Sequence, residues 1–194
     1  MILGRPKDIG FEHNKLKEHG IWRADNNQWW FQVCPYIGYS YLFRAGDIKD
    51  AIVRNYKQYV DAPVIDDKLR LVGNGFHVNV KDVVPRRKDK MPPMLKERLI
   101  SLEKADTSTK GQAALGVFLR LYHDVDGPQS HKCVIITDKD EQNKCRDVYV
   151  PRYDVYVEIK YDFQGGCVYT SYSQKNKYAS FMIQTHERNY GGHH

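Results

Sequence analysis

Cys145–Asp162, CRDVYVPRYDVYVEIKYD, is the stretch whose reading decides the fold of this 194-residue chain. Two runs rich in Val and Tyr alternate in polarity around Pro151-Arg152-Tyr153-Asp154, whose residues suit a short turn, so the stretch is expected to be a β-hairpin. Pairing Val150 with Val155 sets Tyr149 opposite Tyr156, Val148 opposite Val157 and Asp147 opposite Glu158. Side chains alternate with period two. Asp154, Tyr156, Glu158 and Lys160 therefore share a face with Asp147, while Val155, Val157 and Ile159 turn toward a core. Two carboxylates then stand roughly 5 Å apart at Cβ, with an amine two residues on.

Opposed like charges destabilise a hairpin, and a hard divalent ion, Mg²⁺ or Mn²⁺, offsets them with one or two carboxylates, water and substrate phosphate. Lys160 could hold the attacking water or stabilise charge developing on phosphorus. The plainer reading is a solvated charged face on which Arg146 and Lys160 neutralise the acids. Asp154 and Asp138 are rival candidates for the first carboxylate.

The order Asp, ten residues, Glu-x-Lys on a hairpin resembles the PD-(D/E)xK nuclease superfamily, whose members hydrolyse phosphodiesters. The resemblance implies Asp147, Glu158 and Lys160 as catalytic residues, with Asp147 and Glu158 as metal ligands. The segment Lys110-Gly111-Gln112-Ala113-Ala114 resembles the K-G-x-x-A-E helix of that superfamily. Leu115 stands where the helix Glu would be, so a non-cleaving descendant stays open, and Gln112 is a candidate for orienting a ligand or water.

Composition bounds the partners. The formal charge of +6 and pI near 9.0 favour an anionic partner such as nucleic acid. The four cysteines, Cys34, Cys133, Cys145 and Cys167, form no C-x-x-C pair, which argues against a zinc ribbon or thioredoxin-type site and suits buried thiols in a reducing compartment. No run of about 18 apolar residues and no signal-peptide core appear, so an intracellular protein that does not enter membranes is expected.

Toward the amino terminus, Gly20–Arg23, Trp29–Cys34 and Gly38–Phe43 read as three short strands, followed by a helix starting near Asp47 with Ile48, Ala51, Ile52, Asn55, Tyr56 and Tyr59 on one stripe. G-I-W, then N-x-x-W-x-x-x-V, then Y-L-F before that helix resembles the DNA-binding module of plant ethylene-response factors and of phage homing endonucleases. Carried over, the resemblance implies Arg23, Gln28, Trp30, Gln32, Tyr41 and Arg44 as nucleic-acid contacts. Period two then turns Trp30 and Gln32 outward.

Farther on, KLRLV and FHVNV around Gly73-Asn74-Gly75 read as a second hairpin. PRRKDK, residues 85–90, offers Arg86, Arg87 and Lys88 to a phosphate backbone, or is a solvated linker. Helices are expected after Pro92-Pro93, with Leu95, Leu99 and Leu102 inward, and from about Asp106 through His123. Cys133–Thr137 and CVYTSYSQ, from Cys167, read as strands, and Lys177–Asn189 as a terminal helix. The closing GGHH is left out of the mechanism.

The expectation is thus an α+β protein: residues 1–62 a three-stranded antiparallel sheet on one helix, 63–104 a hairpin, basic linker and helix, and 105–194 a mixed αβββα nuclease-like core. It is expected to bind nucleic acid, DNA before RNA, with Mg²⁺ or Mn²⁺ as cofactor if active and with a homodimer left open. Its expected place is the cytoplasm or nucleoid, and a viral or mobile-element origin stays open. The alternatives are a non-enzymatic nucleic-acid-binding or structural protein and a protein-interaction module.

Overall fold

The computed structural model describes residues 20–59, 62–65, 71–79, 82–162 and 167–172. They form an α+β architecture with a six-stranded mixed sheet, a three-stranded sheet and four helices. In chain order the elements are β1 (Trp29–Cys34), β2 (Tyr39–Arg44), α1 (Ala45–Tyr59), β3 (Ala62–Ile65), β4 (Leu71–Asn79), β5 (Arg87–Lys90), α2 (Pro93–Ile100), α3 (Thr107–Tyr122), β6 (Val134–Ile135), α4 (Lys139–Gln142), β7 (Val148–Val150), β8 (Val155–Tyr161) and β9 (Cys167–Tyr172). No helix among the described residues is long and apolar enough to cross a membrane.

The hairpin takes the register that its alternation dictates. Val148, Tyr149 and Val150 of β7 face Val157, Tyr156 and Val155 of β8. The connection is a 3-10 turn over Pro151–Tyr153, closed by Asp154 in the left-handed region at φ 48°. Asp is among the few non-glycine residues that enter that region readily. Tyr149 adds to the closure by donating its hydroxyl hydrogen to Asp154 Oδ1 at 2.7 Å.

The large sheet has the order β5-β2-β1-β8-β7-β6. β1 pairs antiparallel with β2 and parallel with β8, so strands from the amino-terminal and carboxy-terminal parts of the chain are continuous in one sheet. One face carries Phe31, Val33, Leu42, Val148, Val150, Val155 and Val157, packed with Leu99 of α2 and Ala114, Val117 and Phe118 of α3. Phe31 meets Phe118 edge-on at 5.1 Å. Full burial of side chains of this size contributes roughly 1.5–3 kcal/mol each.

The helices begin where local chemistry places them. Pro92 and Pro93 open α2, because a proline at the first helical positions sacrifices no hydrogen bond. Asp106 caps α3, accepting from the Thr109 backbone N–H at 2.8 Å and from its hydroxyl at 2.8 Å. Those two bonds hold the Asp106 carboxyl below its ordinary pKa.

Three expectations need correction. Gly20–Arg23 is a 3-10 turn and not a strand. The third strand beside β1 and β2 on that side is β5, drawn from the basic PRRKDK segment, which is therefore the sheet edge and not a linker. Gly73-Asn74-Gly75 lies inside β4, which runs unbroken and pairs with β3 and β9, so no turn forms there. β9, which was expected as a strand, joins the smaller sheet. For PRRKDK and for Gly73-Asn74-Gly75, long-range pairing overrides a local signal. Residues 1–16 and the expected helix Lys177–Asn189 lie outside the described residues.

Candidate active site

Asp147 is pinned by its backbone and by its side chain. Its N–H donates to Val157 O at 2.9 Å, and its carbonyl accepts from Ile136 N at 2.9 Å. β7 begins only at Val148, and at that point the Ile159 N–H donates to Asp147 Oδ2 at 2.8 Å. The carboxylate thus takes the place of a ladder carbonyl, and its position is locked to the backbone of β8.

Glu158 stands on β8 beside Trp30 of β1, and Lys160 beside Gln32. Lys160 Nζ pairs with Glu158 Oε1 and lies 5.4 Å from the centre of the Trp30 ring. Glu158 is only 7% exposed, and its Oε2 is buried without a hydrogen-bond partner. Burial, opposed by Lys160 and reinforced by the neighbouring Asp147 charge, pushes the Glu158 carboxyl up to about 7. Burial works against the Lys160 ammonium, but Glu158 and Asp147 together raise its pKa above the ordinary lysine value.

The three side chains line one open cleft of about 300 Å³, walled by Ser108, Gly111, Gln112 and Leu115 of α3, by Ile135 and Ile136 at β6, and by Gln142 of α4. Leu115 therefore faces the site, in the wall where the superfamily resemblance implies a helix carboxylate. Neither rival acid enters. Asp138 caps α4 by accepting from Glu141 N at 3.0 Å, and Asp154 closes the hairpin turn. Arg146 does not neutralise the pair, since it bridges Glu141 at 2.5 Å and Asp25 at 3.1 Å.

Two acids served by one amine leave a net negative pocket with an orphaned buried oxygen. Both features fit a hard cation held by two carboxylates and completed by water and phosphate oxygens. Among the described residues no group of three or more His, Cys, Asp or Glu gathers, so protein oxygens beyond this pair are not supplied by other acids.

The residues expected to touch nucleic acid at the amino-terminal sheet do not present a common surface. Trp30, Gln32 and Tyr41 are buried at 2%, 1% and 5% exposure, which corrects the outward orientation inferred for Trp30 and Gln32. β1 is an interior strand, flanked by β2 and by the parallel β8, and every residue from Trp30 to Cys34 is buried, so both of its faces are covered. Gln28 is likewise buried, accepting from Asp25 N at 2.7 Å and donating to Cys145 O at 2.8 Å.

The predicted arginines and lysine are more accessible, and Arg23, Arg44, Arg87 and Lys88 are individually engaged. Arg23 donates to Asn143 O at 3.3 Å, and Arg44 pairs with Asp47 at 2.5 Å. Arg87 pairs with Asp89 at 2.8 Å, and the Lys88 ammonium lies 4.2 Å from the Tyr39 ring centre. Arg86 is exposed. None of these nine residues lines the cleft.

Sequence reasoning missed Trp30 as the floor under Lys160, Gln28 as the tie between the start of β1 and the loop before β7, and Ser108 and Gln142 as cleft walls. Only Ser108, one helical turn before Gln112, carried a usable local signal. Comparison of the chain with protein-family models, with curated proteins and with solved structures gives no match.

Proposed function

We propose that the chain is a metal-dependent phosphodiesterase acting on nucleic acid, with DNA the favoured substrate. The observation that carries this reading is the convergence of Asp147, Glu158 and Lys160 on one cleft beside α3, with Glu158 Oε2 buried and unpartnered. The arrangement of α3, β6, β7 and β8 around the cleft supports the nuclease-like core as the finer description of this part of the fold.

Asp147 and Glu158 would hold Mg²⁺ or Mn²⁺, which when bound supplies Lewis acidity to the phosphate and acidifies a water. For that role Asp147 is held in place by the Ile159 N–H. Lys160, drawn close by Glu158 and backed by the Trp30 ring, donates hydrogen bonds to the attacking water or to the developing phosphate charge. Gln112 reaches the same space from α3 and can orient substrate.

The test is cleavage of single-stranded and duplex DNA and RNA with Mg²⁺ or Mn²⁺, with and without a chelator, by the wild type, Glu158→Gln and Lys160→Ala. Cleavage that needs the ion and disappears in both variants, while their circular dichroism stays native, is the expected result. Equal cleavage by all three proteins, or none by the wild type with either ion, defeats the proposal. The Leu115 wall favours one other reading, a binder without hydrolysis, which predicts salt-sensitive binding of nucleic acid unaffected by a chelator.

A further inference from the structure

A second recess, of about 480 Å³, lies between α2 and α3 and shares Ser108 and Gln112 with the cleft. From this recess we infer that the strand whose phosphate sits at Glu158 and Lys160 continues across Ser108 and Gln112, and that an unpaired flanking nucleotide seats between the two helices. The inference rests on the nuclease reading of the cleft and adds to it a preference for substrates with a single-stranded stretch beside the cut.

The sequence of α3 is laid out for such a path. Ser108, Gln112, Gly116 and Arg120 recur every fourth residue and so form one row along the helix, about 18 Å long at 1.5 Å per residue. The row begins at the cleft rim and ends at a guanidinium. Across the recess α2 contributes Arg98, and the floor between them is made by Leu95, Leu99, Leu102 and Val117.

Charge and shape both suit a nucleotide. Arg98 and Arg120 are exposed, no carboxylate lines the recess with them, and neither forms a salt bridge among the described residues. An apolar floor between two cations matches a sugar and base flanked by phosphates, and the volume is that of a small-molecule site, which admits a nucleotide-sized group. Gly116 leaves the middle of the row open. A Cβ built there meets nothing within 4 Å, so packing within the chain does not call for glycine, although glycine weakens a helix interior relative to alanine.

The experiment uses the full chain, a fluorescent single-stranded oligonucleotide and a blunt duplex of the same sequence. Anisotropy is followed against KCl concentration in the presence of a chelator, and cleavage is followed separately with Mg²⁺. Arg98→Glu/Arg120→Glu is expected to weaken binding of the single strand by about tenfold or more and to lower the salt slope by about 1.4, at roughly 0.7 per lost contact. Gly116→Leu fills the recess without changing charge. It is expected to weaken single-strand binding several-fold with the thermal midpoint unchanged or raised, and to affect the blunt duplex less.

Unchanged affinity and slope in these variants, alongside Mg²⁺-dependent cleavage by the wild type, overturns the recess and leaves the nuclease reading standing. Loss of binding in the variants, alongside a wild type that cleaves with neither Mg²⁺ nor Mn²⁺, supports the recess as a nucleotide site and removes the nuclease reading. A chain that binds neither oligonucleotide overturns both.

Discussion

Trp30 and Glu158 are lateral neighbours across the parallel β1–β8 pairing, and the Trp30 ring backs the ammonium that neutralises Glu158. The tryptophan that the amino-terminal pattern assigned to a nucleic-acid surface is thus buried behind the Lys160 ammonium, outside the cleft lining. A residue 2% exposed cannot stack on a base without leaving the core.

Glu158 makes stability depend on pH in a definite direction. Its carboxyl sits at about 7 when folded against an ordinary 4.5, so the folded chain holds the extra proton between those values. Stability from this residue is fully present below about 4.5 and is lost as pH rises through about 7, a change of about 3 kcal/mol at 1.36 kcal/mol per unit. Glu158→Gln is expected to be more stable than the wild type at pH 8 and to lose that advantage at pH 5, measured by urea denaturation at both values. A divalent cation should raise the melting temperature of the wild type at pH 8 and leave that of the variant unchanged. A wild type whose stability rises between pH 5 and pH 8 relative to Glu158→Gln contradicts the burial argument.

Trp30 acts through packing. Trp30→Ala is expected to cost about 3–5 kcal/mol of stability, in the range for large aromatic truncations in a core. Trp30→Phe keeps a ring beneath Lys160 and should lose less of both stability and cleavage. If Trp30→Ala left urea stability unchanged and lowered only nucleic-acid affinity, Trp30 would have to be returned to the surface.

Gln28 holds two separated segments together. Its amide joins Asp25 at the approach to β1 with Cys145 just ahead of Asp147, and truncation leaves the buried Cys145 carbonyl short of a donor. Gln28→Ala is expected to lose about 1–3 kcal/mol. Amide hydrogen exchange should accelerate at residues 145–147 more than in the centre of α3, and uniform acceleration would argue that the link is only a general contributor.

Leu115 offers a test by gain. Leu115→Glu places a third carboxylate in the cleft wall, and divalent-ion affinity measured by calorimetry should rise while stability without the ion falls by about 1–3 kcal/mol. A variant that binds Mn²⁺ no better than the wild type would show that Leu115 does not reach the ion site.

The hairpin and its charged face were legible because period-two alternation from Asp147 to Lys160 leaves one register that buries every valine. The helices α2 and α3 were legible for a similar local reason, with Pro92-Pro93 and Asp106 marking their starts and leucines at three- and four-residue spacing facing inward. The amino-terminal sheet was misread where the same reasoning had to assume which side was wet. Trp30 and Gln32 alternate correctly with Phe31 and Val33, but alternation does not reveal that β8 lies alongside.

Local order along the chain therefore sufficed for the hairpin register, the helix starts and the grouping of Asp147 with Glu158 and Lys160, since each depends on neighbours a few residues away. Folding alone determined that β1 is an interior strand, that Trp30 underlies Lys160, that β9 departs to the smaller sheet and that α3 lays Leu115 and Gln112 against the cleft. Those outcomes depend on contacts between segments up to about 130 residues apart, such as Gln32 with Asp162 at 3.2 Å. Pairings over such distances are selected by the burial of the whole core, which no local window of the sequence contains.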